Sequence, residues 1–295
     1  MPVRGSWAIM LTCLAATAAG AQAPPSLSPP LSPPLSQYGP LRAPSLATRE
    51  LNPDMRRAVQ AALAQSAAAS TKAMEAEAMI HRARRAAGDG REAARRVEKS
   101  GHGGLFASFD HMRCRYSGDS RNRRAHGSGV MTCGPVTFEG QFRDGVPAGL
   151  VVAEGPGGGY LGQYRNGRRD GLGGDYARGS ADAYEGEYHD GARIGLGIER
   201  DKDGFYPGQY GFYTGAGGRQ INMELSGTQD FRESHWAGTY GAYSGPKIAC
   251  KLIKGAVLEG SVLDGDGAKF DAHGRVIGQG RYHLGILENG KNPPC

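Results

Sequence analysis

From Tyr116 onward one pattern restarts every 20 to 24 residues over most of the chain. Numbered from its first aromatic, it has glycine at position three, an aromatic at five and Asp-Gly or Asn-Gly at seven and eight. A Gly-x-Gly pair follows at twelve and fourteen. The starts are Tyr116, Phe138, Tyr160, Tyr184, Tyr206, Trp236, Leu258 and Gly278. Position three is glycine in every copy: Gly118, Gly140, Gly162, Gly186, Gly208, Gly238, Gly260 and Gly280. Position five is aromatic in six: Phe142, Tyr164, Tyr188, Tyr210, Tyr240 and Tyr282. A fixed period of this length is the mark of a repeat architecture.

Alternation places positions one, three and five on one face of a strand. Glycine between two large side chains leaves room for a ring from a neighbouring unit to lie over the backbone. Asp144-Gly145, Asn166-Gly167, Asp190-Gly191 and Asp264-Gly265 mark turns where φ must be positive, and the second strand returns through Gly-x-Gly. Each unit therefore reads as a β-hairpin. A single hairpin is marginal in water, so the units must stack. The expected fold is mainly β: an elongated single-sheet array of stacked hairpins over 112–295, regular to about 217 and degenerate after it. Residues 219 to 235 fit no unit. With 48 Gly, 17 Pro and 39% hydrophobic residues, and a mean hydropathy of -0.47, a large close-packed α/β core is disfavoured.

The pattern Tyr-x-Gly-x-Tyr-x-x-Gly-x-x-x-Gly-x-Gly resembles the MORN ("membrane occupation and recognition nexus") repeat. The match is close at Tyr160 and Tyr184. At Tyr116, Arg123 replaces the turn glycine; at Phe138, Val151 replaces the last glycine. Later, Tyr213 and Tyr243 replace turn glycines, and Lys247 and Lys269 replace the glycine at position twelve. The resemblance implies a curved single-sheet groove and a role in scaffolding, dimerisation or contact with membranes and partner proteins. It implies no kinase or SET activity, since neither domain accompanies the repeats. The framework it assigns is Tyr116, Gly118, Phe138, Gly140, Phe142, Tyr160, Gly162, Tyr164, Tyr184, Gly186, Tyr188, Tyr206, Gly208, Tyr210, Trp236, Gly238 and Tyr240. These residues read as packing groups before they read as ligand contacts.

The N-terminus has the grammar of a signal peptide. Arg4 precedes an apolar stretch from Trp7 to Ala19, and cleavage is expected after Ala21, leaving 1–21 as the signal. That stretch is short of the roughly 20 residues that span a bilayer, although retention as an anchor is the alternative. Residues 22–46 repeat Leu-Ser-Pro-Pro and read as a disordered, extended linker, with a reach on the order of 70 Å. Residues 50–99 are Ala-rich and helical. Asn52-Pro53-Asp54 is a helix start, and Leu51, Met55, Val59 and Leu63 form a short apolar stripe. Beyond Leu63 the stripe is narrow and mostly alanine, and sustained a/d heptads are absent, which suggests a lone or loosely paired helix, with a packing or oligomerisation helix as the sharper reading. Gly88-Asp89-Gly90 is expected to break it before a short helix at Arg91 to Lys99.

Export leaves four cysteines besides Cys13. Cys114 and Cys133 fall opposite each other across the first hairpin, and Cys250 with Cys295 would close the far end. No His/Cys spacing points to a metal, no cofactor motif occurs, and no nucleophile elbow or P-loop is found. The net charge of +6 and pI near 9.1 favour anionic partners. Arg113, Arg115, Arg121, Arg123 and Arg124 crowd the first hairpin, and Arg165, Arg168 and Arg169 decorate a later turn. Arginine forks suit phosphate and carboxylate. The expectation is a periplasmic or secreted, non-catalytic scaffold or interaction module with a protein partner. Direct binding of an anionic lipid or envelope polymer is the alternative, and a groove enzyme the third. Nucleic acid is disfavoured, and a homodimer is an open possibility.

Overall fold

The structure, a computed structural model, describes residues 46–101, 104–214, 220–231, 234–246, 257–283 and 286–288, without the side chains of 231, 241–246, 257–262 and 286. The expected signal segment, all but the last residue of the linker, and the Cys250/Cys295 pair lie outside these residues.

A 3-10 turn at Thr48–Glu50 leads into one long helix, α1 (Pro53–Lys99). The strands follow: β1 (Leu105–Phe109), β2 (Met112–Arg121), β3 (Arg124–Cys133), β4 (Val136–Arg143), β5 (Val146–Gly155), β6 (Gly158–Arg165), β7 (Arg168–Ala177) and β8 (Ala183–His189). Then come β9 (Ala192–Arg200), β10 (Gly204–Thr214), β11 (Gln220–Phe231), β12 (Ser234–Pro246), β13 (Val257–Asp271), β14 (Val276–His283) and β15 (Ile286–Leu287). They form one 15-stranded antiparallel sheet in strict sequence order, as stacked hairpins require.

Register puts one kind of residue in each row across the strands. Gly118, Gly129, Gly140, Val151, Gly162, Gly173, Gly186, Gly197 and Gly208 are successive cross-strand partners. The row continues through Gly227, Gly238, Gly267 and Gly280. In the Tyr116, Tyr160 and Tyr184 hairpins the position-one ring of the same hairpin lies over it. A Cβ on Gly173 would sit 2.5 Å from the Tyr160 hydroxyl. This corrects the expectation that a neighbour's ring covers the glycine. The neighbour's position-five ring instead packs edge-on against the position-one ring: Tyr116 with Phe142 at 5.0 Å, Tyr160 with Tyr188 at 4.9 Å, Tyr184 with Tyr210 at 4.8 Å. The zipper is buried throughout.

The row next to the glycines faces the other way and carries α1. It runs Ser117, Val130, Glu139, Val152, Leu161, Gly174, Glu185, Ile198, Pro207, then Thr228, Ala237, Ala268 and Gln279. The helix crosses it in reverse order. Asn52 caps the helix by accepting from the Met55 N–H at 3.0 Å, while its own N–H donates to Gln279 at 2.8 Å. Leu51, Met55, Val59 and Ala62 pack with Ala237, Ala268 and Phe270. The Ser66 hydroxyl reaches the Pro207 carbonyl at 2.8 Å and the Thr228 hydroxyl at 3.0 Å. Arg91 pairs with Glu139, and the Ser117 hydroxyl donates to the Ala94 carbonyl at 3.2 Å.

The helix is thus neither lone nor loosely paired. Its buried side is Met55, Val59, Ala62, Ser66, Ala69, Ala73, Ala76, Ile80, Ala83, Ala87, Gly90 and Ala94, alternating steps of four and three. A heptad stripe is present after all, built from small residues. The expected break at Gly88-Asp89-Gly90 is absent because Gly90 is a contact point. A Cβ there would sit 2.5 Å from the Gly129 carbonyl oxygen and 2.9 Å from the Gly140 nitrogen. The stripe advances about 5 Å per step, close to the roughly 4.8 Å between strands, so successive small residues meet successive strands.

The degenerate end is more regular than its spacing suggests. Residues 220–231 are the return strand of the Tyr206 hairpin, with Gly227 in the glycine row, so they are not an irregular insertion. Asp264-Gly265 is no turn: it lies inside β13 beside a register shift, and Gly265 and Gly267 are the return pair of the Trp236 hairpin. Gly260 pairs with Tyr243 and stands outside the glycine row. Lengthened first strands carry the return pairs beyond their fixed offsets. The array also starts earlier than 112, with β1 paired to β2 through Asp110 and His111, both at positive φ.

Candidate anionic-ligand surface on the turn edge

The hairpin turns at 122–123, 144–145, 166–167 and 190–191 line one edge of the sheet. Their leading residues Asn122, Asp144, Asn166 and Asp190 all have φ near +50°. Arg123 takes the glycine place in the first turn at φ +58°, a conformation that costs a bulky residue free energy. The last three turns are each tied to the preceding hairpin: Gly145 donates to Ala125, Gly167 to Pro147 and Gly191 to Arg169, each at 2.9 Å.

Beneath each turn the strand pairing shifts register, which leaves one backbone N–H without a strand partner. The position-four side chain accepts it: Asp119 from Ser128 at 3.1 Å, Gln141 from Leu150 at 2.8 Å, Gln163 from Leu172 at 2.7 Å, Glu187 from Leu196 at 2.7 Å. Position-twelve glycines such as Gly171, at φ +108°, pass directly under these side chains. The recurrence of Asp, Gln, Gln and Glu at position four was the signal available in the sequence.

The expected arginine cluster divides. Arg121, Arg123 and Arg124 sit on the turn edge. Arg113 and Arg115 lie on β2 toward the opposite edge, where Arg113 stacks over the exposed Phe106 ring at 5.0 Å; Arg115 and Thr132 line the same hollow. Several turn arginines are already held by acids. Arg121 faces Asp144 of the next hairpin at 3.5 Å and Arg168 pairs with Asp190 of the next at 2.7 Å, while Arg165 pairs with Asp170 of its own hairpin. Arg169 bonds Asp175 at 3.2 Å and lies 5.2 Å over the Tyr160 ring. Arg193, which the sequence reading passed over, repeats that role over Tyr184 at 4.9 Å, with Asp175 and Glu199 each at 2.6 Å. Arg123, Arg124 and Arg143 make no ion pair among the described residues.

On the helix-bearing face, between α1 and the turns, a hollow of about 430 Å³ opens across β3 to β6. Its walls include His126, Ser128, Gln141, Arg143, Arg165 and Asn166. His126 Nδ1 is 3.6 Å from the Asp144 carboxylate.

The framework aromatics are packing groups. Burial raises the Tyr164 hydroxyl to about 12 and holds those of Tyr188 and Tyr210 well above the ordinary tyrosine value. Where the ring zipper gives way at β10 and β11, the Glu224 carboxyl fills the space over Gly208 and Gly227 and accepts from Gln229 at 3.0 Å. Burial holds its pKa well above the usual carboxylate value.

Cys114 and Cys133 are cross-strand partners with Cα atoms 4.3 Å apart and form a disulfide. Among the described residues no helix is long and apolar enough to cross a membrane. No known family model matches the chain, and no curated protein is detectably similar to it.

Proposed function

We propose that the chain is an exported, non-catalytic interaction module built on MORN-type hairpins, and that its turn edge meets the partner. The observation that carries this is how the two faces are used. One is covered by the chain's own helix along a continuous row, and the other is closed by its own rings. What differs between hairpins, and remains exposed, is concentrated on the turns and the residues beneath them. Export rests on the residue pattern of 1–21 and agrees with a disulfide, which persists in oxidising compartments.

Site-specific photo-crosslinking in cells tests the proposal. A crosslinker at position 123 or 143 should give a discrete adduct, while one at Ala68, on the exposed side of the helix, should give none. Adducts from neither turn position would end it. Arg123 and Arg124 favour a second reading, contact with an anionic surface, which predicts co-sedimentation with anionic vesicles that is lost at high salt. R123E/R124E should abolish that binding, and retention in the double variant would refute this reading.

A further inference from the structure

We propose that the hollow across β3 to β6 is a binding site for an acidic saccharide, with Arg143 and Arg165 taking its carboxylates and Gln141, Ser128 and Asn166 its hydroxyls. The hollow adjoins the turn edge and shares Arg143 and Asn166 with it, and a failure of saccharide binding would leave protein docking on the turns untouched.

Three observations converge. First, of the two arginines that line the hollow, one has no acid partner among the described residues. Arg121, Arg165 and Arg168 are held by Asp144, Asp170 and Asp190, whereas Arg143 is exposed and makes no ion pair among the described residues. Arg165, which lines the same hollow, is oriented by its pair with Asp170. Asp144, next to Arg143 in the chain, lies 3.5 Å from Arg121 and 3.6 Å from His126 Nδ1.

Second, the amide of Gln141 has a fixed polarity. Its Oε1 accepts from the Leu150 N–H, so its two N–H donors face away from the backbone. Gln163 is held in the same way by Leu172. Gln141-Phe142-Arg143 and Gln163-Tyr164-Arg165 therefore repeat one donor pair, amide plus guanidinium, two strands apart, or about 10 Å. The flanking hairpins do not repeat it, because Asp119 and Glu187 accept the same backbone bond as carboxylates and offer no donor.

Third, the wall is mixed. Phe142, Ala148 and Tyr164 line it together with the polar groups, but the Phe142 and Tyr164 side chains are almost wholly buried, so the donors are what the hollow offers a ligand to bond with. A ligand rich in acceptors, carrying carboxylates at a regular spacing near that of a disaccharide, matches this donor set. Guanidinium forks take carboxylates in pairs, and amide donors suit hydroxyl oxygens.

The test is calorimetric titration of the full chain at low salt with a galacturonate tetramer. A neutral tetramer of the same ring count, inorganic phosphate and anionic vesicles serve as comparisons. Saturable galacturonate binding is expected, with no binding of the neutral tetramer. Q141E retains an acceptor for Leu150, as Glu187 does for Leu196, so the fold is kept while the donor is replaced by a negative charge. Q141E and R143A should each weaken binding by about tenfold or more, the size expected for one charge-assisted hydrogen bond. No galacturonate binding, equal binding of the neutral tetramer, or indifference to both substitutions would overturn the proposal. Phosphate or vesicles bound with the same sensitivity to Q141E and R143A would overturn it as well, assigning the hollow to phosphate.

Discussion

Glu224 and Gly173 show how differently single positions serve the array. Glu224 is a carboxyl where other hairpins place a ring, and burial raises its pKa well above the usual value. The sign of its linkage follows. Its contribution is complete below the unfolded pKa near 4.5 and is lost as pH rises toward the folded value, because only the unfolded chain then ionises freely. Burial raises Glu199 and Asp230 in the same direction, although Arg193 and His235 oppose it. The denaturation midpoint should therefore fall between pH 5 and pH 8, and E224Q should flatten that slope. An unchanged slope in E224Q would show that Glu224 is not the group responsible. Gly173 acts by absence. A methyl there meets the Tyr160 hydroxyl and ring, so G173A should cost about 1–3 kcal/mol in chemical denaturation, far more than alanine at Gly157, which is open and has no positive φ. The glycines and aromatics of the regular hairpins were legible because each has one steric role, repeated at fixed spacing. Glu224 was not, since a single carboxyl on a strand looks like any surface acid until its neighbours are known.

At the scale of elements, the hairpins and the helix differ in how openly the sequence announces them. The hairpin turns carry Asp-Gly or Asn-Gly, and the first cross-strand disulfide followed from the turn position alone. Replacing both Cys114 and Cys133 by alanine should cost about 2–4 kcal/mol of stability, read from unfolding of the oxidised and variant proteins. The helix had a clear start at Asn52, yet its packing surface was hidden. A search for leucines and isoleucines misses a heptad of alanine, serine and glycine, and a glycine pair reads as a break when it is a contact. The test is to enlarge the stripe. G90L should lift the C-terminal half of α1 from β3 and β4 and expose amides there to hydrogen exchange, whereas an enlarged residue on the solvent side, such as A68L, should leave protection unchanged. The later hairpins were obscured for a different reason. Their strands lengthen, so Gly227, Gly265 and Gly267 keep their places in the sheet while losing their places in the count. Of the candidate surface, the arginines of the turns were visible. The partition between paired ones and Arg143 was not, because ion pairing between successive turns depends on strand register.

Across the whole molecule, the helix alters what a stacked array would otherwise be. Hairpin arrays touch only their neighbours, and their stability is a sum of local terms. Here α1 bonds to β2 at one end and to β14 at the other, so distant hairpins share one element. Unfolding should be a single cooperative transition by circular dichroism and by tyrosine fluorescence. Deleting residues 50–99 should spread it into separable steps, with the hairpins around Tyr160 and Tyr184 the last to melt. A single transition in the deleted protein would show that the sheet is cooperative without the helix.

The reversed direction of α1 also has a consequence in time. The chain emerges N-terminus first, so the helix exists before any strand it rests on. Its C-terminal end finds β2 to β4 as soon as they follow, a short loop away. Its N-terminal end waits for partners as remote as Gln279, 227 residues from Asn52. Seating therefore proceeds backward along the helix as the hairpins arrive. The last part of the chain to be made completes the first part, and a truncated product would leave Leu51, Met55 and Val59 uncovered, marking it as unfinished.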